Sequence, residues 1–205
     1  MFYNYLMFLS LIVVILVVPL HTRADYIVDT GQSSSTAGWA LDSGEWLASQ
    51  FSLDMDYTLT DIEGFMTYHI GQLGVAIYGD GGEVPDITNE LYYMPFTCAS
   101  EGTWPFDWYG LSGLSWNLLT GTYWVAFEVR SGDTYSGSMA QNAPNPLEDE
   151  AYWNGSNYLQ FDGLSLGLKI QGNPVGAPVP EPATMLLLGS GLVGLFGLRR
   201  KFKKG

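Results

Sequence analysis

Leu164-Ser165-Leu166-Gly167-Leu168-Lys169-Ile170-Gln171 alternates apolar and small or polar residues without a break, the period of a strand with one face buried. Tyr123, Val125, Phe127 and Val129 do the same against Trp124, Ala126, Glu128 and Arg130. Upstream, Ile62, Met66, Tyr68 and Ile70 share one face. Leu73, Val75 and Ile77 follow after Gly71-Gln72, which reads as a hairpin-like break. No segment between residues 25 and 171 sustains a helical period. Turn chemistry separates the runs at Gly79-Asp80-Gly81-Gly82, Ser131-Gly132-Asp133, Asn154-Gly155-Ser156 and Asp162-Gly163. Short strands at this spacing predict an all-β domain, an antiparallel sandwich of jelly-roll type over residues 25–171.

On either side the composition changes. Leu6 to Val18 is an apolar run of signal-peptide length, and Thr22 and Ala24 are small residues where a signal peptidase reads, so 1–24 is expected to be removed after Ala24. Met1 to Tyr5 carries no Lys or Arg, a departure that keeps an uncleaved anchor as the alternative. Residues 172–179, with Gly172, Pro174, Gly176 and Pro178, read as a Gly/Pro linker. Beyond it stand Val179-Pro180-Glu181-Pro182, an uncharged stretch from Ala183 to Leu198, and the basic tail 199–204 beginning Arg199-Arg200. The prolines cut a helix off from what precedes it. At ~1.5 Å per residue, a helix over 183–198 spans ~24 Å of a ~30 Å hydrocarbon core, and snorkelling of Arg199 and Arg200 covers the remainder. The basic cluster is retained on the cytoplasmic side, which puts the domain outside the membrane.

The conjunction of Pro180-Glu181-Pro182, a short apolar helix and a terminal Arg/Lys cluster resembles the PEP-CTERM sorting signal of Gram-negative bacterial exoproteins. That resemblance implies exosortase as a partner, with the tail as its substrate, and an association with exopolysaccharide and biofilm. It also implies that the tail describes transport and leaves the ligand of the body open, since the same tail occurs on ice-binding proteins. Gln50-Phe51, the Tyr78 to Pro85 turn and Gly121-Thr122-Tyr123-Trp124 are similar to features of the β-sandwich bodies found on such proteins.

Of the 21 acidic residues only Glu181 lies outside the body, and of the 8 basic ones only Arg130 and Lys169 lie inside it, a body charge of −18. Nucleic acid and anionic lipid are excluded as partners by that field. The single Cys98 allows neither a disulfide scaffold nor a cysteine zinc site, and at the end of an apolar run it is expected to be buried. His69 is the one histidine after Ala24, placed on a strand pattern with no Gly-x-Ser-x-Gly elbow, so nucleophilic catalysis lacks its parts.

Three acidic clusters have the oxygen density of a calcium loop: Asp54-Met55-Asp56, Asp80 with Glu83 and Asp86, and Glu148-Asp149-Glu150. None matches an EF-hand loop, and solvated turns account for them without a cofactor. Aromatics are abundant. Trp104 and Trp108 lie in a Gly/Pro-flanked segment, and Trp153 with Tyr152 and Tyr158 frames the Asn154 turn, so Trp104, Trp108 and Trp153 are the candidate platforms for stacking on polysaccharide. Trp39 and Trp124 fit a core role. Glycoside hydrolysis needs only two carboxylates, and Glu128 is the one centred in a clear strand. The composite reading is a non-enzymatic exported surface or matrix protein, with a carbohydrate-binding module and a glycoside hydrolase as the alternatives. One consequence is direct: mass-spectrometric sequencing of the exported protein should find Asp25 at its N-terminus, and an intact Met1 would make Leu6 to Val18 an anchor.

Overall fold

The structure is a computed structural model that describes residues 25–67, 69–98, 106–161 and 163–176. The signal segment, Trp104 and the sorting tail lie outside the described residues. Thirteen strands and no helix make up the described body. In order they are β1 (Asp25–Asp29), β2 (Gly38–Leu41), β3 (Trp46–Leu53), β4 (Tyr57–Thr67), β5 (Gly71–Asp80), β6 (Pro85–Cys98) and β7 (Phe106–Leu111). Then come β8 (Trp116–Leu118), β9 (Gly121–Glu128), β10 (Gly137–Ala140), β11 (Glu150–Trp153), β12 (Tyr158–Gln160) and β13 (Leu168–Pro174). A seven-stranded sheet runs β1-β13-β4-β10-β2, with β7 and β8 also on β4; a six-stranded sheet runs β12-β11-β3-β9-β5-β6. Every strand pairing is antiparallel.

The two sheets bury their facing side chains in one core. Leu47 and Phe51 of β3, Leu73, Val75 and Ile77 of β5, and Val125 and Phe127 of β9 come from the six-stranded sheet; Leu59, Ile62 and Met66 of β4 and Leu168 and Ile170 of β13 come from the other. Leu59 and Ile62 are three apart yet both face inward, because the β4 register against β13 jumps from Asp61 to Leu59 and leaves Thr60 as a bulge. Cys98 lies in this core, and burial pushes its thiol up to about 12, which keeps it protonated.

Gly71-Gln72 is not a hairpin. β4 and β5 belong to different sheets, so His69 and Ile70 carry the chain across the sandwich edge, and both are exposed. His69 is therefore on a connection and not on a strand. Gly71 is needed for the tight fit there: a Cβ would stand 2.5 Å from Tyr135 Cα, where the Thr134 and Tyr135 N–H groups both donate to the Gln72 carbonyl.

The period-two run also begins later than its pattern. β13 starts at Leu168, and residues 164–167 are irregular, with Ser165 at φ 51°. Their backbone groups find partners outside any ladder. The Ser165 and Leu166 N–H groups donate to the two oxygens of Glu150 (2.6 and 2.9 Å), while the carbonyls of 164, 165, 166 and 167 accept from Trp39 Nε1, Ala143 N, Thr30 Oγ1 and Phe65 N. At its far end β13 continues past Gln171, with Gly172, Asn173 and Pro174 opposite Leu59, Thr58 and Tyr57. These three residues, read from composition as linker, are sheet; Pro174 ends the strand, where its missing N–H costs no interior ladder bond.

Part of the outward face of the six-stranded sheet, across β11, β3, β9 and β5, is buried as well. Ala151, Ala48, Ala126 and Ala76 stand side by side across β11, β3, β9 and β5, and Trp124, Tyr78 and Tyr158 pack with them in a second cluster. Glu128 sits at the edge of that floor, 0% exposed. Tyr158 and Tyr78 hydroxyls donate to its Oε1 (2.7 and 2.9 Å), and Arg130 Nε donates to its Oε2 (2.6 Å). The same guanidinium donates to Tyr78 Oη (2.9 Å), pairs with Glu90, and lies 3.7 Å from the centre of the Tyr93 ring. Burial, then the Glu128 charge, push the Tyr78 and Tyr158 hydroxyls above the ordinary phenol range. Burial works against the Arg130 charge, but Glu90 and Glu128 more than offset it.

Two substitutions probe these buried carboxylates. Glu150→Ala strands the buried Leu166 N–H and the part-buried Ser165 N–H and should cost about 2–4 kcal/mol in urea unfolding. Arg130→Met leaves Glu128 without its cation and should cost about 2–3 kcal/mol, below the ~3–5 kcal/mol of a fully buried pair because the Arg130 side chain is 29% exposed. Wild-type stability in either variant would show that the corresponding carboxylate is not held as described.

Candidate functional site

Three half-buried or exposed aromatic side chains gather at one edge of the sandwich. Trp39 from β2, Glu45 just before β3, Tyr152 from β11, Phe161 just after β12 and Leu164 line a cleft of about 230 Å³. That is below the ~300–1,000 Å³ of drug-sized pockets and suits one ring or one functional group. Phe161 is the hub. Its ring meets Trp39 edge-on (5.1 Å between centroids, 71°) and Tyr152 edge-on (5.9 Å, 88°). Trp39 is fixed by its Nε1–H, which donates to the Leu164 carbonyl at 2.9 Å, and Phe161 by its N–H to the Glu150 carbonyl at 2.9 Å. Glu45 closes a tight turn with Asp42, exchanging backbone hydrogen bonds at 2.9 and 3.2 Å while its N–H also meets Asp42 Oδ1. Burial, and then the Asp42 charge, hold the Glu45 carboxyl above the usual carboxylate range.

A second groove of about 280 Å³ lies between Leu91, Tyr92, Leu119 and Tyr123. Its polar groups serve the fold: Tyr92 Oη bonds to the Asn117 backbone, Tyr123 Oη donates to the Leu119 carbonyl, and Tyr92 stacks flat on Trp116 at 5.0 Å.

The aromatics singled out from sequence are placed differently. Trp108 is on β7, not in a loop, between Phe65 (5.1 Å between centroids) and the Lys169 ammonium, 3.9 Å from its ring centre. Gly110 next to it marks close packing of strands, since a Cβ there would stand 1.9 Å from the Ile62 carbonyl oxygen. Trp153 is on β11 and stacks flat on Trp46 at 4.8 Å, which covers one of its faces. Trp124 is in the interior, whereas Trp39, which fits a core role by composition, forms a cleft wall. Trp104, Ala24, Val179, Pro180, Glu181, Pro182, Arg199 and Arg200 lie outside the described residues.

Four residues of the acidic clusters, Asp56, Asp80, Asp86 and Glu150, serve turns and bonds of the body. Asp80 Oδ1 accepts from Gln50 Nε2 (3.0 Å), Gly82 N (2.9 Å) and Trp124 Nε1 (3.4 Å), which pins the β5–β6 hairpin; Asp86 Oδ1 accepts from Thr88 N and Oγ1; Glu83 is exposed. Asp56 Oδ1 accepts from Thr120 N, and Glu150 is in the interior. Among the described residues no three His, Cys, Asp or Glu side chains gather as a metal site, so the calcium reading of Asp80, Glu83 and Asp86 gains no geometry here. Glu128, the one carboxylate centred in a clear strand pattern, has both oxygens hydrogen-bonded and is 0% exposed.

Comparison with known proteins finds the model of the PEP-CTERM protein-sorting motif over residues 178–201. No curated protein and no solved structure matches the chain. The matched span contains the Pro-Glu-Pro tripeptide, the uncharged stretch and the first basic residues of the tail. Among the described residues no helix is long and apolar enough to cross a membrane. Residues 178–201 carry the PEP-CTERM sorting motif, which indicates an exported protein sorted by exosortase, and the body before it is an all-β sandwich of two antiparallel sheets.

Proposed function

We propose that the sorted β-sandwich acts without catalysis at the cell surface or in the extracellular matrix, as a component that engages exopolysaccharide in a biofilm. The observation that carries this reading is the conjunction of a sorting tail with a body whose interior carboxylates, Glu128 and Glu150, are both consumed by its own hydrogen bonds. A hydrolase requires a carboxylic acid that faces the substrate. The aromatic cleft favours the second reading, a carbohydrate-binding module, through Trp39, Tyr152 and Phe161 in place of Trp108 and Trp153. On either reading the route is shared, from signal peptidase at Ala24 to exosortase at the tail, with membrane attachment through 183–198 before processing.

The tripeptide is the handle for the test. Replacing Pro180-Glu181-Pro182 by Ala-Ala-Ala leaves the apolar stretch in place and removes the recognition element, so the protein should stay with the membrane fraction and release should fall. Fractionation of cells with a working exosortase reads this directly, and unchanged release would separate the tail from sorting. In parallel, the released protein mixed with the host's exopolysaccharide should co-sediment with it and generate no new reducing ends; new reducing ends would turn the reading to hydrolase.

A further inference from the structure

The cleft at Trp39 has a chemistry narrower than stacking on sugar rings. Three aromatic residues, Trp39, Tyr152 and Phe161, line a space of about 230 Å³ together with Glu45 and Leu164. Aromatic faces carry the negative lobe of the ring quadrupole, and Phe161 stands close to perpendicular to both of its neighbours, so the walls form a corner and not a flat platform. Neither basic residue of the body serves the cleft. Arg130 is held by Glu128 and Glu90, Lys169 lies over Trp108, and among the described residues no salt bridge reaches Glu45.

An anionic ligand would meet Glu45 with Asp42 beside it, in a body of net charge −18. A neutral sugar would find rings but few donors for its hydroxyl oxygens, since the Trp39 N–H is already committed to Leu164. An ammonium group needs acceptors and π-faces only, and both are present. We propose that the cleft formed by Trp39, Glu45, Tyr152 and Phe161 binds an organic ammonium group, carried either on an amino-sugar unit of a polysaccharide or on a free quaternary amine. The cation takes the place of the missing partner of Glu45, and its carbon frame packs on Phe161, which is 39% exposed. The amino-sugar arm deepens the polysaccharide reading above, whereas the site itself does not depend on that reading.

The test uses the full chain in non-ionic detergent and titration calorimetry with three probes: glucosamine oligomers, N-acetylglucosamine oligomers of equal length, and choline. Binding of glucosamine oligomers with at least about tenfold preference over the acetylated ones is expected, because acetylation removes the charge and leaves the ring. Glu45→Gln should weaken that binding about tenfold without lowering the melting temperature, and Phe161→Leu should weaken it while Tyr152→Phe, which keeps the ring, should not. Choline binding as tightly as the oligomers assigns the site to a free quaternary amine; oligomer binding without choline binding assigns it to the sugar-borne amine. Equal binding of both oligomer types, insensitivity to Glu45→Gln with an unchanged melting temperature, or no binding of glucosamine oligomers and choline alike would each overturn the proposal. The polysaccharide reading fails separately, through absence of co-sedimentation, so the two outcomes remain distinct.

Discussion

Glu128 carries a charge into a place with no solvent, and the six-stranded sheet is arranged around that fact. An ionised carboxylate in a low-dielectric interior costs several kcal/mol unless its lone pairs are satisfied and a cation stands beside it. The donors come from three strands or their ends: Tyr78 on β5, Arg130 just after β9 and Tyr158 on β12. None of these can move without uncovering the charge. Tyr158 stands opposite Trp153, which stands opposite Trp46, and it packs in one cluster with Ala48 on β3 and Ala151 on β11. The alanine row, the aromatic cover and the buried ion pair are thus one device, which closes part of the outward face of a sheet that a simple two-layer sandwich would leave to water.

Much of the architecture was legible from residue pattern, because period-two alternation and Gly/Asn/Asp turns act locally. The β9 strand, the inward set Leu73, Val75 and Ile77, and the turns at Asp80 and Asn154 all lie where alternation and turn chemistry place them. Failures arose where one pattern serves two geometries. Gly71-Gln72 has the composition of a hairpin turn, but the glycine is selected by the Tyr135 backbone pressed against it. Leu164 and Leu166 continue the alternation of β13 while leaving the ladder, since Glu150 supplies the acceptors that a neighbouring strand would otherwise provide. Glycine and proline in residues 172–174 look like linker, yet β4 pairs with that stretch regardless of composition. Alternation reports which side chains face apolar surroundings; it does not report who accepts the backbone hydrogen bonds.

The cleft was scarcely legible at all. Its residues fall at 39, 45, 152, 161 and 164, and they meet because β2 lies at one edge of the seven-stranded sheet while β11 and β12 lie at an edge of the six-stranded one. Trp108 and Trp153 advertise themselves by flanking Gly and Asn, but such flanks tell of backbone geometry, whereas availability of an aromatic face depends on what stands opposite. Lys169 and Trp46 stand opposite those two. A usable face is a tertiary property, and only the topology could single out Trp39.

Export sets the last constraint. A protein sorted to the cell envelope must hold its fold where disulfides are the usual staple of small domains, and a chain with one cysteine cannot form an internal one. Size supplies part of the answer, since a domain of about 150 residues buries roughly 70% of the surface its unfolded chain exposes. The rest comes from doubling the buried layers. Aromatic and alanine packing on the outward face of β3, β5, β9 and β11 adds a second cluster to the one between the sheets, and Glu128 and Glu150 tie the segments that flank it. Those same ties withdraw both carboxylates from chemistry. The stability of an uncrosslinked exported body is thereby drawn in part from buried carboxylates that its own donors satisfy, whereas Glu45, at the sandwich edge, is the one carboxylate among the cleft residues and enters no salt bridge among the described residues.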